Sequence, residues 1–252
     1  MSVFEDPKVD NLKKTLDTLD QNRYYSILYT YHSTDPANWI RAAHVLDQNQ
    51  KIKHMIAIRP YAISPEYFVM MYDAFDEIAK DRIMFNIVPG RVENGEDIVT
   101  KSLYIGELID DTRKRVAYSD KWLEKVLSIK KIPELVISGM ADDSLALAKK
   151  YGDYSAFTLD LYDNDRNRVD FNIKKMALVN FLIRDTKEQA ENELKNVRKD
   201  IKDRTFYGTK EHILERVKEL EASGITDIMI RRHKEDKEYH RIHEFVKENA
   251  ER

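Results

Sequence analysis

The sequence predicts an α/β protein built on a parallel sheet, and three observations carry that prediction. The stretch Lys51–Gly90 reads as strand, helix, strand. Both of its strands, His54–Ile58 and Ile83–Val88, are nearly continuous apolar runs, the pattern of strands covered on both faces by crossover helices. The chain's 252 residues lie close to the ~250 of a single α/β barrel. With no low-complexity linker and no Pro/Gly-rich hinge, residues 1–252 are expected to form one domain.

The elements follow in order. Leu12, Leu16 and Leu19 space a helix from about Val9 to Gln21, and Tyr24–Tyr31 follows as a strand. Only Ser2–Phe4 is available as a strand before that helix, so a first strand is either very short or missing. Asp35-Pro36 starts a helix carrying Trp39, Ile40, Ala43 and Leu46, with Asp35 as its N-cap. After the strand His54–Ile58, Arg59-Pro60 ends the ladder, because proline cannot donate to it. Ser64 caps and Pro65 opens the next helix, where a missing N–H costs nothing. Phe68, Met71, Tyr72, Phe75 and Ile78 are its expected buried face.

Beyond Gly90 a polar, aperiodic stretch is read as a substrate loop or a solvated connection. Tyr104–Val116 and Ser119–Ile129 read as two helices, the second capped by Ser119. Pro133–Gly139 is a strand entering a turn, followed by a helix Asp142–Tyr151 whose first-turn aspartates suit an N-cap. Strands at Tyr154–Leu159 and Met176–Ile183 precede an amphipathic helix, Thr186–Arg204. Tyr207–His212 opens a helix capped by Thr209 and ended by Gly224. Asp227–Ile230 is the last strand, and Tyr239–Ala250 the last helix.

Composition removes whole classes of function. Lys+Arg of 42 against Asp+Glu of 45 gives a net charge of −3, without the basic excess of a general nucleic-acid binder. No run approaches the ~18 apolar residues of a membrane span, and no signal-peptide core opens the chain. Zero cysteines exclude a disulfide framework, a thiolate metal site and a cysteine nucleophile, and fit a cytoplasmic protein. The histidines are scattered without metal-ligand spacing, and His240 and His243 read as surface residues of the last helix. Neither a nucleophile elbow nor a glycine-rich dinucleotide fingerprint occurs.

One register of motifs adds a resemblance. Arg59-Pro60, Ser64-Pro65, Ala74-Phe75-Asp76, Arg82 and Asn86-Ile87-Val88-Pro89-Gly90 fall without a gap behind Trp39. At that spacing the chain resembles the luciferase-like monooxygenases, and most their alkanesulfonate monooxygenase branch. The resemblance implies a TIM-type (β/α)8 barrel, here short or incomplete at the first strand and lacking the usual insertions. It implies an FMN-dependent monooxygenase that uses reduced FMN, supplied by a separate flavin reductase, and O2 on a small organic substrate. Two alternatives share the fold: an F420-dependent oxidoreductase, and a non-catalytic barrel acting as a flavin-binding or partner protein. Relatives pair through helices beside those of Trp39 and Phe75, so a homodimer is implied.

The sequence also departs from the family. Where relatives place Gly-Gly-Ser-Ser against the flavin phosphate, this chain has Ser138-Gly139-Met140-Ala141. Lys174 or Leu178 stands for a substrate arginine, and Met176 or Asn180 for a histidine. Val116 occupies the place of a phosphate-contacting tyrosine, with Tyr118 two residues on.

Active sites of α/β barrels form at the C-terminal ends of the strands, and those ends supply the candidates. His32, Arg59, Gly90, Ser138 and Gly139 are the cofactor-binding candidates from those ends, and the resemblance adds Asn86, Tyr118 and Met140 to that set. Asn180, Arg231, Arg232 and His233 are the substrate set; Arg231 and Arg232 cannot both point inward, because strand side chains alternate. Arg59 reads as a cofactor contact or a structural ion-pair partner, His32 as pocket lining or a surface turn, and Asn86 as hydrogen-bonded interior packing or a flavin contact. No acid–base pair stands out, as expected where a bound flavin carries the chemistry.

Overall fold

Among the described residues every strand pairing is parallel. The computed structural model describes residues 2–4, 12–31, 37–46, 51–89, 112–159, 172–195, 199–231 and 239–249. The strands are β1 (Ser2–Phe4), β2 (Ser26–Tyr29), β3 (Lys53–Ile58), β4 (Ile83–Ile87), β5 (Leu135–Ser138), β6 (Tyr154–Thr158), β7 (Lys174–Ile183), β8 (Thr205–Gly208) and β9 (Asp227–Arg231). In the order β1-β2-β3-β4-β5-β6-β7-β9 they close on themselves, because β1 pairs with both β2 and β9. The barrel is complete, and its first strand is short rather than missing.

Strand β8 stands outside that ring. The lower part of β7 is flanked by β6 through Lys174–Leu178 and by β9 through Met176–Asn180, while its upper part, Asn180–Ile183, pairs with β8. Tyr207 and Gly208, expected to open a helix, belong with Thr205 and Phe206 to this strand. Its β-branched and aromatic residues favour that form, and Phe206 stacks on Phe181 of β7 at 6.1 Å.

Helices cover the outside: α1 (Leu12–Gln21), α2 (Asn38–Ala43), α3 (Pro65–Ala79), α4 (Thr112–Ile129), α5 (Asp142–Tyr151), α6 (Lys187–Leu194), α7 (Lys199–Lys202), α8 (Lys210–Ala222) and α9 (His240–Asn249). Strand residues alternate between two apolar layers. Ile56, Phe85, Ile137 and Val179 face the helices. Met55, Met84, Val136, Ala156, Met176 and Met229 fill the barrel interior. Among the described residues no helix is long and apolar enough to cross a membrane.

Several expectations change at this level. Residues 104–111 and Asp35 lie outside the described residues, but α4 runs unbroken through Ser119. That serine is buried and donates to the Arg115 carbonyl at 2.8 Å, so its hydroxyl is satisfied inside the helix instead of capping a new one. Helix α2 begins at Asn38 with Ala37 at the N-cap. It turns Asn38, Arg41 and Ala42 inward and leaves Ile40 56% exposed. In α3, Ser64 caps through the Tyr67 N–H at 3.2 Å as expected, and Phe68, Met71, Tyr72 and Phe75 are buried. Ile78 is exposed, because ten residues at about 100° each carry it roughly 80° away from Phe68. The helix expected over Thr186–Arg204 is two, α6 and α7; its Thr186 forms a reciprocal capping box with Gln189, and Val197 lies outside the described residues. His243 is not a surface residue: it lies half-buried between Tyr24 and Tyr239, with Nδ1 3.0 Å from the Tyr24 hydroxyl.

Candidate functional site at the C-terminal end of the barrel

Arg59 is the first residue past β3 and the entry to a tight 3-10 turn, Pro60–Ala62. Met55 and Ala57 face the barrel interior, and alternation carries Arg59 to the same side. It is 4% exposed. One guanidinium nitrogen, Nη1, donates to the Val88 carbonyl at 3.1 Å, and the guanidinium carbon lies 6.0 Å from the ring centre of Tyr31. A planar cation is thus held at the rim of the barrel by a backbone carbonyl and an aromatic face.

The ends of β4 and β5 continue the rim. Asn86 is buried, and its Oδ1 accepts a hydrogen bond from the Ser138 hydroxyl at 2.6 Å. Gly139 follows at φ +134°, and its N–H donates to Ala156. A Cβ at Gly139 would lie 2.9 Å from Ser144 on α5, so only glycine lets the chain pass this close to the first turn of that helix. Ala141 occupies the N-cap and gives no side-chain cap; Asp142 and Asp143, expected as caps, are exposed. Met140 is 7% exposed and packs into the layer between helices and sheet, away from the rim.

On the opposite arc, Asn180 and Arg231 are neighbours across the β7–β9 ladder. Asn180 is buried and Arg231 half-exposed. Leu178 also faces inward, whereas Lys174 sits at the far, N-terminal end of β7, where it donates to the Tyr154 hydroxyl at 3.3 Å. Of the alternatives for the family's substrate pair, only Leu178 and Asn180 are therefore near the rim. Tyr118 lies on α4, partly buried against the helix–sheet core and not on a strand end, and burial pushes its phenol above the usual range. His32, Gly90, Arg232 and His233 lie outside the described residues.

Sequence reasoning missed two groups. Thr30 follows β2, and its buried hydroxyl has no hydrogen-bond partner among the described residues. Tyr31 supplies the ring beside Arg59. The inward position of Leu28 was the available signal for Thr30, since the second residue on returns to the same side. The opposite end of the barrel holds charges of its own. Glu134 accepts from Tyr25 at 3.1 Å and from Lys53 at 2.5 Å. Burial and the neighbouring Glu134 carboxylate push the Tyr25 phenol well above its usual range. In a barrel, that face serves stability.

The rim fits a planar, anionic cofactor on two counts: a buried guanidinium beside an aromatic ring, and the buried Thr30 hydroxyl that has no partner among the described residues. Two first-turn carboxylates on α5 count against a phosphate at that turn.

No protein-family model matches the chain. Solved structures do. The coenzyme F420-dependent tetrahydromethanopterin reductase from Methanopyrus kandleri superposes with a TM-score of 0.75 at 12% identity, over 99% of this chain and 97% of the reductase. The long-chain alkane monooxygenase LadA gives 0.75 at 11% identity, over 96% and 83%. The riboflavin lyase RcaE, solved with modified FMN and riboflavin, gives 0.75 at 12% identity, over 97% and 89%. Identity this low speaks for the fold alone, and over nearly its whole length the chain shares the fold of these structures.

Proposed function

We propose that the chain is a flavin-dependent oxidoreductase, and that it uses reduced FMN, supplied by a separate reductase, with dioxygen to oxygenate a small organic substrate. The observation that carries this reading is Arg59, a buried cation at the rim of a barrel whose fold is shared with flavin and F420 enzymes. When bound, the reduced cofactor supplies the electrons. The chain's own residues bind, orient and exclude water. Arg59 offers charge-assisted hydrogen bonds to an anionic ring or phosphate, Tyr31 and Val88 wall it, and Thr30 and the Asn86–Ser138 pair offer hydroxyl and amide groups at the edge. Asn180 and Arg231 face the substrate from the other arc. The alkanesulfonate branch rests on the motif register alone, and Leu178 in the arginine's place argues against a sulfonate substrate.

A deazaflavin is met by the same donors, so competition between FMN and F420 in one titration assigns the cofactor. A barrel that has given up flavin is favoured by Asp142 and Asp143, and failure to bind FMN in either redox state, or F420, would establish it. On the leading reading reduced FMN binds in the micromolar range. Arg59→Ala then weakens binding by about 1.5–3 kcal/mol, roughly ten- to a hundredfold, and Arg59→Lys restores part of it, keeping the charge and losing the fork. A sharp fall in the melting temperature of free Arg59→Ala with unchanged affinity would make Arg59 a structural residue instead.

We further propose a homodimer. Tyr67, Met70 and Ile78 expose large apolar side chains along α3, and Ile40 does so on the adjoining α2.

A further inference from the structure

Asn38 is the first residue of α2, yet it points away from solvent, at 3% exposure. Its carboxamide is fully committed. Nδ2 donates to the carbonyl of Tyr29 at 3.1 Å and to the carbonyl of Ala57 at 2.7 Å, while Oδ1 accepts the N–H of Trp39 at 2.9 Å. An amide group has two donors and one carbonyl oxygen, so both donors are spent on one task.

That task is specific to its place. The β2–β3 ladder runs from Ser26↔Lys53 to Tyr29↔Ile56 and stops there. On its other side β3 stays paired through Ile58↔Ile87, and the Val88 N–H reaches the Ile58 carbonyl. At the rim, therefore, β2 and β3 part while β3 remains tied to β4. Asn38 fills the fork, bridging one carbonyl from each strand at the level where they separate. Two residues further on stand Tyr31 on one branch and Arg59 on the other. The spacing of the two branches is what sets the guanidinium over the ring.

We infer that Asn38 is a positioning residue that fixes Arg59 against Tyr31 by holding the β2–β3 fork at one width. The inference rests on the reading in which Arg59 contacts the cofactor, but its geometric part stands without it. Because Asn38 has no donor left over, it acts through Arg59 and does not touch a ligand itself.

Affinity for reduced FMN, measured on the full chain for Asn38→Ala in the wild-type and Arg59→Ala backgrounds, tests this. About a fivefold to tenfold loss is expected in the first background and less than about twofold in the second, the non-additivity of residues acting on one contact. In the free protein, the Nε–H nuclear magnetic resonance signal of Arg59, identified by its loss in Arg59→Ala, should shift in Asn38→Ala, while that of Arg184 on the far arc should not. Equal affinity losses in both backgrounds, or an unmoved Arg59 signal, would overturn the inference. Should wild-type protein bind neither FMN nor F420, the functional reading fails, and the Arg59 signal alone decides on Asn38. Should Asn38→Ala not fold, Asn38→Ser, which keeps a donor for one carbonyl but cannot bridge two, takes its place in every arm.

Discussion

His54 shows how a single buried group ties this fold to pH. It lies on β3 facing the helices, wholly buried, with Nδ1 2.9 Å from the Tyr29 hydroxyl. Its Nε2 has no hydrogen-bond partner among the described residues. Burial first, then the Arg82 guanidinium, push its pKa down to about 3, so the folded protein keeps the ring neutral where an unfolded chain protonates it near 6.5. The unfolded state then binds the extra proton, and stability falls as pH drops from about 6.5 toward 3. This single group is expected to remove about 2 kcal/mol between pH 7 and pH 5. Urea unfolding at both values should show that loss, and His54→Gln, whatever its own cost, should flatten it. An unchanged pH slope in His54→Gln would assign the acid sensitivity to other groups. None of this was legible in the sequence, where His54 merely opened an apolar run. Burial on the helix side depends on which neighbours the ring closure brings, and periodicity carries no such information.

Among the elements, the exit of β7 is fastened by two arginines. Arg184, 6% exposed, meets Glu193 of α6 with two hydrogen bonds, Nε to Oε1 at 2.7 Å and Nη2 to Oε2 at 2.5 Å, and donates a third to the Ile183 carbonyl. Asp185 beside it receives two from Arg241 of α9. The hydrogen bonds from Arg184 hold the Glu193 carboxyl below its usual range. A depressed carboxylate contributes stability above the ordinary glutamate value and loses it as pH falls through the folded one. Glu193 is half-exposed, so solvent screens part of the interaction. Glu193→Gln should cost about 1–2 kcal/mol at pH 7, mostly by leaving the Arg184 charge buried and poorly matched. That difference should narrow below pH 4.3, and a gap as wide in acid as at pH 7 would show that charge is not its source. Most elements were readable, since apolar period and caps depend on neighbours in sequence: Ser64 caps as its type dictates, whereas Thr209, expected to cap α8, spends its hydroxyl on the Glu211 and His212 side chains instead of a backbone N–H. Ser119 and the α2 face were misread for the opposite reason. A polar residue turned inward, such as Asn38 seeking two strand carbonyls, is invisible until the strands are placed. The strand-end rule pointed to Arg59 and Ser138, which do stand at the rim, and it passed over Tyr31, whose ring comes beside Arg59 only once the strands are placed.

For the whole molecule, the apolar surface on α2 and α3 sets the expected assembly. Tyr67, Met70, Ile78 and Ile40 are 50%, 66%, 56% and 56% exposed, and Trp39 meets Tyr67 edge-on at 6.5 Å. An exposed apolar stripe across two adjacent helices suits a two-fold interface in which each copy covers the other's patch. Light scattering on the eluting protein should give twice the mass of one chain, and Met70→Glu should halve it with the fold retained. A wild-type protein that elutes at the mass of one chain would leave the stripe without this role. A different consequence follows from the shortest strand. Val3 pairs with Ile27 on one side and with Ile230 on the other, so one seam of the ring joins its first strand to its last. During synthesis β1 must wait beside β2, one edge bare, until β9 arrives, and long-range parallel pairing is slow to form. A seam of three register pairs between segments so far apart in sequence has no short connection to hold it when heat loosens the ring. Once parted, it presents two unpaired edges to other molecules, so clumping on heating should begin from barrels that have sprung open there, long before the helices melt.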